Sequence, residues 1–288
     1  MKRMASKTSI TFRKLTRDDI PFGMQLKKQA GWNQLPDDWE RFLKHDPNGA
    51  FVALEDGTPV GTVTTTRYGD RFGWVGMVLV PEERRRRGIG TALLSQAISH
   101  LQSTGVAAVR LDATLAGKMV YDRIGFSDEY HLERRQGTGR DSGATEAQTM
   151  VRSDLSKVIT YDAPVFGARR EHMLSILYEQ RPELCFCMKD TSGELIGLIM
   201  ARPGANAFQI GPWLADSEAV AEQLLRAVMN ALEGEPIFLD VLCAEPQSSL
   251  VARHGFETQR PFIRMFLGEN KFPGVPERTF AIAGVETG

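Results

Sequence analysis

WVGMVLVPEERRRRGIGTALLSQAISHLQ, residues 74–102, runs from an apolar strand through a basic turn into an amphipathic helix. The strand stops at Val80-Pro81, and Leu93, Leu94, Ala97, Ile98 and Leu101 form one stripe at helical spacing. Between them Arg84 to Arg87 lead into Gly88 and Gly90. Glycines leave the main chain uncovered, so successive N–H groups and the positive end of the helix can point at phosphate oxygens. Guanidinium groups add paired hydrogen bonds to the same anion. Without an anion, cations at the positive end of a helix are unfavourable. The stretch therefore predicts a pyrophosphate-binding turn and a helix starting near Gly90.

The rest of the chain gives that turn a neutral background. With 35 basic and 36 acidic residues the formal net charge is −1, which argues against a long nucleic-acid track. No interleaved aromatics accompany the arginines, and no nucleic-acid partner is expected. Cys185, Cys187 and Cys243 are too few and wrongly spaced for a disulfide framework or a four-ligand zinc site, so buried free thiols and no metal are expected. No apolar run approaches the ~20 residues that cross a bilayer, and MKRMASKTSITFRK lacks the apolar core of a secretion signal. A soluble, cytoplasmic protein with no membrane partner is the expectation.

Internal similarity organises the 288 residues. SITFRKL followed by DDIPFGM is echoed by KVITYDAPVFGARR, both read as strand, Asp, Pro, Phe-Gly, helix. FVALEDGTPVGTVTTT reads as a hairpin turning at Asp56-Gly57, and CFCMKDTSGELIGLIMA as one turning at Ser192-Gly193. Leu224, Leu225, Val228, Met229 and Leu232 repeat the helical stripe; VRLDAT answers to IFLDVL, and VYDRIGF to LVARHGF. One large α/β domain with similar buried strands is the simpler organisation, but four segments correspond in order. Two tandem α/β copies are predicted, residues 1–149 and 150–288, joined by the Gly/Ser/Thr-rich segment 135–148.

With these motifs in view, the first copy resembles the GCN5-related N-acetyltransferases (GNAT superfamily), and the whole resembles a tandem member with a degenerate second copy. The family's cofactor signature, Arg or Gln, two residues, Gly, one residue, Gly or Ala, is matched by Arg85, Gly88 and Gly90. MVYDRIGF resembles its Tyr-x-x-x-Gly-Phe segment. The resemblance implies two mixed, mostly antiparallel sheets, each with a splayed strand pair flanked by helices. It implies acetyl-CoA as co-substrate, held by the main chain of Val78, Leu79 and Val80 and by Arg85, Arg86, Arg87, Gly88, Ile89, Gly90 and Thr91. Tyr121 is then the acid beside the CoA sulfur.

Acetyl transfer to an amine also needs a base and support for the oxyanion. The strand 73–80 holds no carboxylate. Asp112 stands where other members carry a glutamate and can take the amine's proton directly or through water; since the second copy keeps Asp240, a structural duty for both is the other reading. The Leu79 N–H is the oxyanion candidate. Trp32, Asn33 and Gln34 fall where the acceptor cleft is expected, although a tryptophan there can equally anchor one helix to the other. In the second copy Asp216, Glu218 and Glu222 replace the arginines and glycines, and Val251 replaces Tyr121, so no cofactor is expected there. AFQIGPW or RPFIRMFLG of that copy is expected to shape the acceptor pocket. The sequence thus reads as an acetyl-CoA-dependent N-acetyltransferase acting on a small-molecule or peptide amine by direct attack; a non-catalytic acyl-CoA sensor or scaffold is the alternative. A monomer with an internal pseudo-dimer, or a homodimer, fits either.

Overall fold

A computed structural model describes residues 10–288. The first nine residues, part of the stretch read as lacking a secretion signal, lie outside it. The first copy runs β1 (Ile10–Lys14), α1 (Ile20–Gln29), α2 (Pro36–His45), β2 (Ala50–Glu55), β3 (Thr58–Tyr68), β4 (Phe72–Leu79), α3 (Ile89–Ser103), β5 (Ala108–Ala113), α4 (Leu115–Ile124) and β6 (Ser127–Thr138). The second runs β7 (Gln148–Thr149), α5 (Leu155–Phe166), α6 (Glu171–Gln180), β8 (Cys185–Lys189), β9 (Leu195–Arg202), β10 (Phe208–Ala215), α7 (Glu218–Ala231), β11 (Pro236–Leu242), α8 (Gln247–Arg253), β12 (Glu257–Gly268) and β13 (Thr279–Ala281). All strands join one mostly antiparallel sheet in the order β1-β2-β3-β4-β5-β12-β6-β11-β13-β10-β9-β8-β7.

Both predicted hairpins form, with Asp56, Gly57 and Gly193 taking the positive φ that tight turns require. The two helical stripes are buried throughout, under α3 and α7 respectively. Each copy's Gly-Phe pair closes a helix in the same way: Gly125 and Gly255 are left-handed, and the N–H groups of Phe126 and Phe256 donate to the carbonyls of Tyr121 and Val251, both at 3.1 Å.

One segment departs from the sequence reading. Lys157–Thr160 is helical, inside α5, because Leu155, Val158, Ile159, Asp162, Val165 and Phe166 recur at helical spacing and Val158, Val165 and their neighbours are buried. The true echo of the first copy is LTRDDI with MVRSDL. In both, an aspartate carboxylate accepts the N–H three residues earlier, Asp19 from Thr16 at 2.9 Å and Asp154 from Val151 at 3.0 Å. The joining segment is also more structured than its composition suggests. Residues through 138 extend β6, and the remainder lies along α7, with Ser142 N–H donating to Asn230 and Thr145 Oγ1 to the Gln223 carbonyl.

In space the halves exchange β6 and β12. β12 of the second copy pairs with β5 of the first, while β6 of the first pairs with β11 of the second, and β6 and β12 pair with each other. A bidentate ion pair crosses each exchange. Arg264 Nε and Nη2 donate to Asp112 at 2.8 and 2.9 Å, and Arg134 Nε and Nη2 donate to Asp240 at 2.8 and 2.7 Å. Each arginine stands directly opposite its aspartate in the strand register.

Candidate active site

The parallel pair β4–β5 holds together only at Phe72–Ala108, Gly73–Val109 and Trp74–Arg110. Beyond Trp74 the strands part. Divergence coincides with a bulge in β4, where Met77 takes φ 51 and its carbonyl accepts from Thr62 Oγ1 at 3.1 Å. The opening leads into a cavity of about 760 Å³.

Alternation along the strands gives this cavity two sides. Val109, Leu111 and Ala113 pack beneath α3 and α4, so Arg110 and Asp112 face the opposite side, where Arg110 meets Phe72, Asn270 and Phe272 and Asp112 meets Arg264. On the α3 side lie the main chain of Val78, Leu79 and Val80 together with Arg85, Arg86, Gly88, Gly90, Thr91 and Tyr121. Gly88 is the N-cap of α3 at φ 84, and a Cβ added there would meet nothing within 4 Å. The turn is therefore open, as a phosphate cradle requires. The four arginines divide: Arg84 and Arg87 both bind the Glu55 carboxylate at the end of β2, while Arg85 and Arg86 line the cavity, Arg85 donating to the Val80 carbonyl at 3.2 Å and to Glu82 at 3.5 Å. Glu55 supplies the anion that the basic turn needs, but only for two of its cations. Of the expected cofactor contacts, Arg87 is thus tied to Glu55 and the Ile89 side chain is buried in the core.

Tyr121 projects from α4 beside Phe126, with ring centroids 5.9 Å apart. Burial pushes its pKa up to about 12. Against a thiol of ~8.5, full transfer of the phenolic proton is uphill by roughly 5 kcal/mol, so the group is suited to donating a hydrogen bond rather than to releasing its proton outright.

The opposite side combines both copies. Trp32 and Gln34, from the loop between α1 and α2, line the cavity with Arg134 of β6, Arg260, Pro261 and Phe262 of β12, and Val285 and Glu286 of the segment after β13. Asn33 does not join them. Its amide is spent on the second copy, donating to the Ala207 carbonyl at 3.0 Å and accepting from the N–H groups of Asn206 and Ala207 at 2.9 and 3.2 Å. RPFIRMFLG therefore contributes to the cavity wall, and AFQIGPW instead meets Asn33 and the second core.

The Asp112 side chain is fully buried and held by Arg264. Burial pushes the Asp112 pKa up against the pull of Arg264, and it works against the Arg264 cation too, but there the Asp112 and Tyr130 side chains override it and raise the pKa. Arg264 also lies over the Trp74 ring at 4.4 Å. Glu286 is the carboxylate that sequence reasoning missed. It accepts from Arg202 Nη2 at 2.7 Å and Gln34 Nε2 at 3.0 Å, and its main chain packs so closely on Gly76 that a Cβ there would stand 2.6 Å from the Glu286 carbonyl oxygen. Arg202 also pairs with Asp38 at 3.1 Å, and Asp38 with Arg41 at 2.8 Å. Burial would raise the Asp38 pKa, yet Arg202 and Arg41 together hold it below the usual carboxyl range.

The corresponding opening in the second copy is closed. β10 and β11 pair only from Phe208–Ile237 to Ile210–Leu239, and β13 then fills the divergence, pairing Trp213 and Val241 with Ala281. Phe280 stacks on Trp213 at 5.0 Å within the core under α7. At the start of α7, Ser217 caps the helix by accepting from the Val220 N–H. Cys185 and Cys187 are buried as expected, whereas Cys243 is exposed. No metal-binding cluster and no helix long and apolar enough to cross a membrane occurs among the described residues.

Two family models match the chain, the acetyltransferase (GNAT) family over residues 16–126 and an acetyltransferase (GNAT) domain over residues 158–281. A holothin acyltransferase from Pseudoalteromonas is 24% identical over 265 residues, covering 89% of this chain and 87% of that protein. An uncharacterised N-acetyltransferase of Bacillus subtilis is 26% identical over 236 residues, covering 79% of this chain and 80% of that protein. The crystal structure of a putative acetyltransferase from Pyrococcus horikoshii has the same fold, with a TM-score of 0.81 at 22% identity over 100% of this chain and 99% of that one.

Proposed function

Since the chain belongs to the GNAT acetyltransferases as a tandem member, and is an acyltransferase, we propose that its first half moves an acetyl group from acetyl-CoA to an amine by direct attack. The observation that carries this reading is the contrast between two equivalent divergences in one sheet. The first is open and flanked by a glycine turn, two exposed arginines and a tyrosine; the second is filled by β13.

Acetyl-CoA would supply the activated acyl group as a thioester. Around it, Arg85, Arg86 and the main chain at Gly88, Gly90 and Thr91 bind the diphosphate, and the edge of Val78 and Leu79 that β5 leaves unpaired meets the pantetheine amides as an added strand would. Leu79 N–H stabilises developing charge on the acyl oxygen. The Tyr121 hydroxyl donates towards the departing sulfur. Asp112 serves the strand exchange rather than proton transfer, because Asp240 makes the same bidentate pair in a half without an open cavity.

Calorimetric titration of the full chain with acetyl-CoA, together with thiol release in the presence of amines, tests the proposal. One equivalent bound and amine-dependent release are expected. Two equivalents would refute the assignment of the second half, and binding without release to any of a broad amine panel would favour a sensor.

A further inference from the structure

Two polar groups on the acceptor side of the cavity have no partner among the described residues, and they are of opposite character. Gln34 Nε2 donates to Glu286, which fixes the amide orientation and leaves Gln34 Oε1, a buried acceptor, unmet. Arg260 Nε is a buried donor, also unmet. A buried group left without a partner costs about 1–3 kcal/mol, and more when charged.

Arg260 is the less compensated of the two. It stands directly opposite Arg134 in the β12–β6 register, and both guanidinium groups lie near the Phe262 ring, at 5.7 and 5.6 Å. Like charges facing each other across two strands are destabilising. Arg134 donates to both Asp240 oxygens, whereas Arg260 makes no ion pair among the described residues. Burial and the Arg134 charge accordingly pull the Arg260 pKa down. Asp112 and Glu286, the carboxylates that line the cavity, are taken by Arg264 and Arg202. A half-buried positive side chain without an ion pair among the described residues therefore lines a cavity large enough for a small molecule. It lies on the side of the sheet away from α3, so the diphosphate turn does not account for it.

Building on the acetyltransferase reading above, we propose that the acceptor is an amine bearing a carboxylate, of the amino-acid class. Its acid group meets Arg260, and an N–H of its amine donates to Gln34 Oε1. Glu286 acts as a positioning residue, holding the Gln34 amide in the orientation that presents oxygen to the cavity. Trp32, half-buried at the same wall, offers a flat apolar surface to the remainder of the molecule.

The test uses product mimics, which need no turnover. Thermal unfolding of the full chain is followed with and without CoA in the presence of N-acetylglycine, N-acetylphenylalanine, N-acetylglutamate and N-acetyllysine, each compared with its carboxamide. At least one acid is expected to raise the midpoint while its amide does not, and Arg260→Gln should weaken that acid's binding by about tenfold or more, with Arg260→Lys keeping most of it. The CoA response is expected to be unchanged in both variants. An amide matching its acid, no response to any acid, or an Arg260→Gln variant that responds like the parent would overturn the inference. A parent chain that ignores CoA would sink the acetyltransferase reading itself, whereas a response to CoA but to none of the acids removes only the acceptor class.

Discussion

Replacing Asp112 and Asp240 separately by Asn distinguishes a base from a strand tie, because the two residues occupy equivalent places in two halves, one with an open divergence and one filled by β13. Each carboxylate is fully buried and accepts two charge-assisted hydrogen bonds at 2.7 to 2.9 Å from an arginine of the other copy. Removing one partner of such a pair strands a buried cation and costs about 3–5 kcal/mol. A chain of this length has an unfolding entropy of roughly 0.6 kcal/mol/K, so either substitution is expected to lower the midpoint by about 5–8 °C if unfolding is cooperative. Differential scanning calorimetry gives that shift, and thiol release per folded molecule at 20 °C gives the catalytic effect. The structural reading predicts similar falls in midpoint for Asp112→Asn and Asp240→Asn and less than about a tenfold loss of turnover in either. A loss above about a hundredfold confined to Asp112→Asn, with a smaller fall in its midpoint, would refute it and restore the proton-transfer role.

Other expectations follow from the same geometry. Tyr121→Phe should reduce kcat about tenfold or more with little change in CoA affinity; with its pKa at about 12 the phenol stays protonated as pH rises, so kcat should not fall between pH 8 and 10, and an alkaline loss in that window present only in the parent enzyme would contradict the role. Gly88→Val should weaken CoA binding through backbone strain at φ 84, since the added Cβ has free space. Gly76→Ala should do the reverse, displacing Glu286 and raising the acceptor KM about tenfold while CoA affinity stays within about twofold; equal effects of both substitutions on CoA would show the two sides of the cavity are not separable. Phe280→Ala should destabilise the chain by about 3–5 kcal/mol without adding a second CoA equivalent in calorimetry, because Asp216 and Glu218 still stand where the first half has arginines.

Much of the arrangement was legible because it is local. Hairpin turns, the α3 stripe, the Gly-Phe helix ends and the basic turn each fit within one short window, and the structure has them where those windows end. Lys157–Thr160 went astray because β-branched residues favoured a strand over four positions, while the helical period needed the twelve residues of α5 to emerge. The exchange of strands was not legible at all. β6 and β12 both present an arginine to an aspartate in VRLDAT or IFLDVL, and nothing in either local pattern says which copy supplies the partner. Glu286 was invisible for a related reason: it lies outside the repeat, and only the path of the chain through β13 carries it back to Gly76. Within the basic turn, composition marked four equivalent cations, and only the position of Glu55 separates the pair that faces the cavity from the pair that does not.

The exchange also ties the half whose divergence is filled by β13 to the framework of the open half. Cut away, the closed half would take β12 with it, leaving the backbone of β5 bare along one side, Asp112 without Arg264, and β6 projecting with nothing to pair against; such edges invite association with other chains. The closed copy thus completes the sheet of its sibling, and a change tolerated by the open half must also leave the framework of both intact.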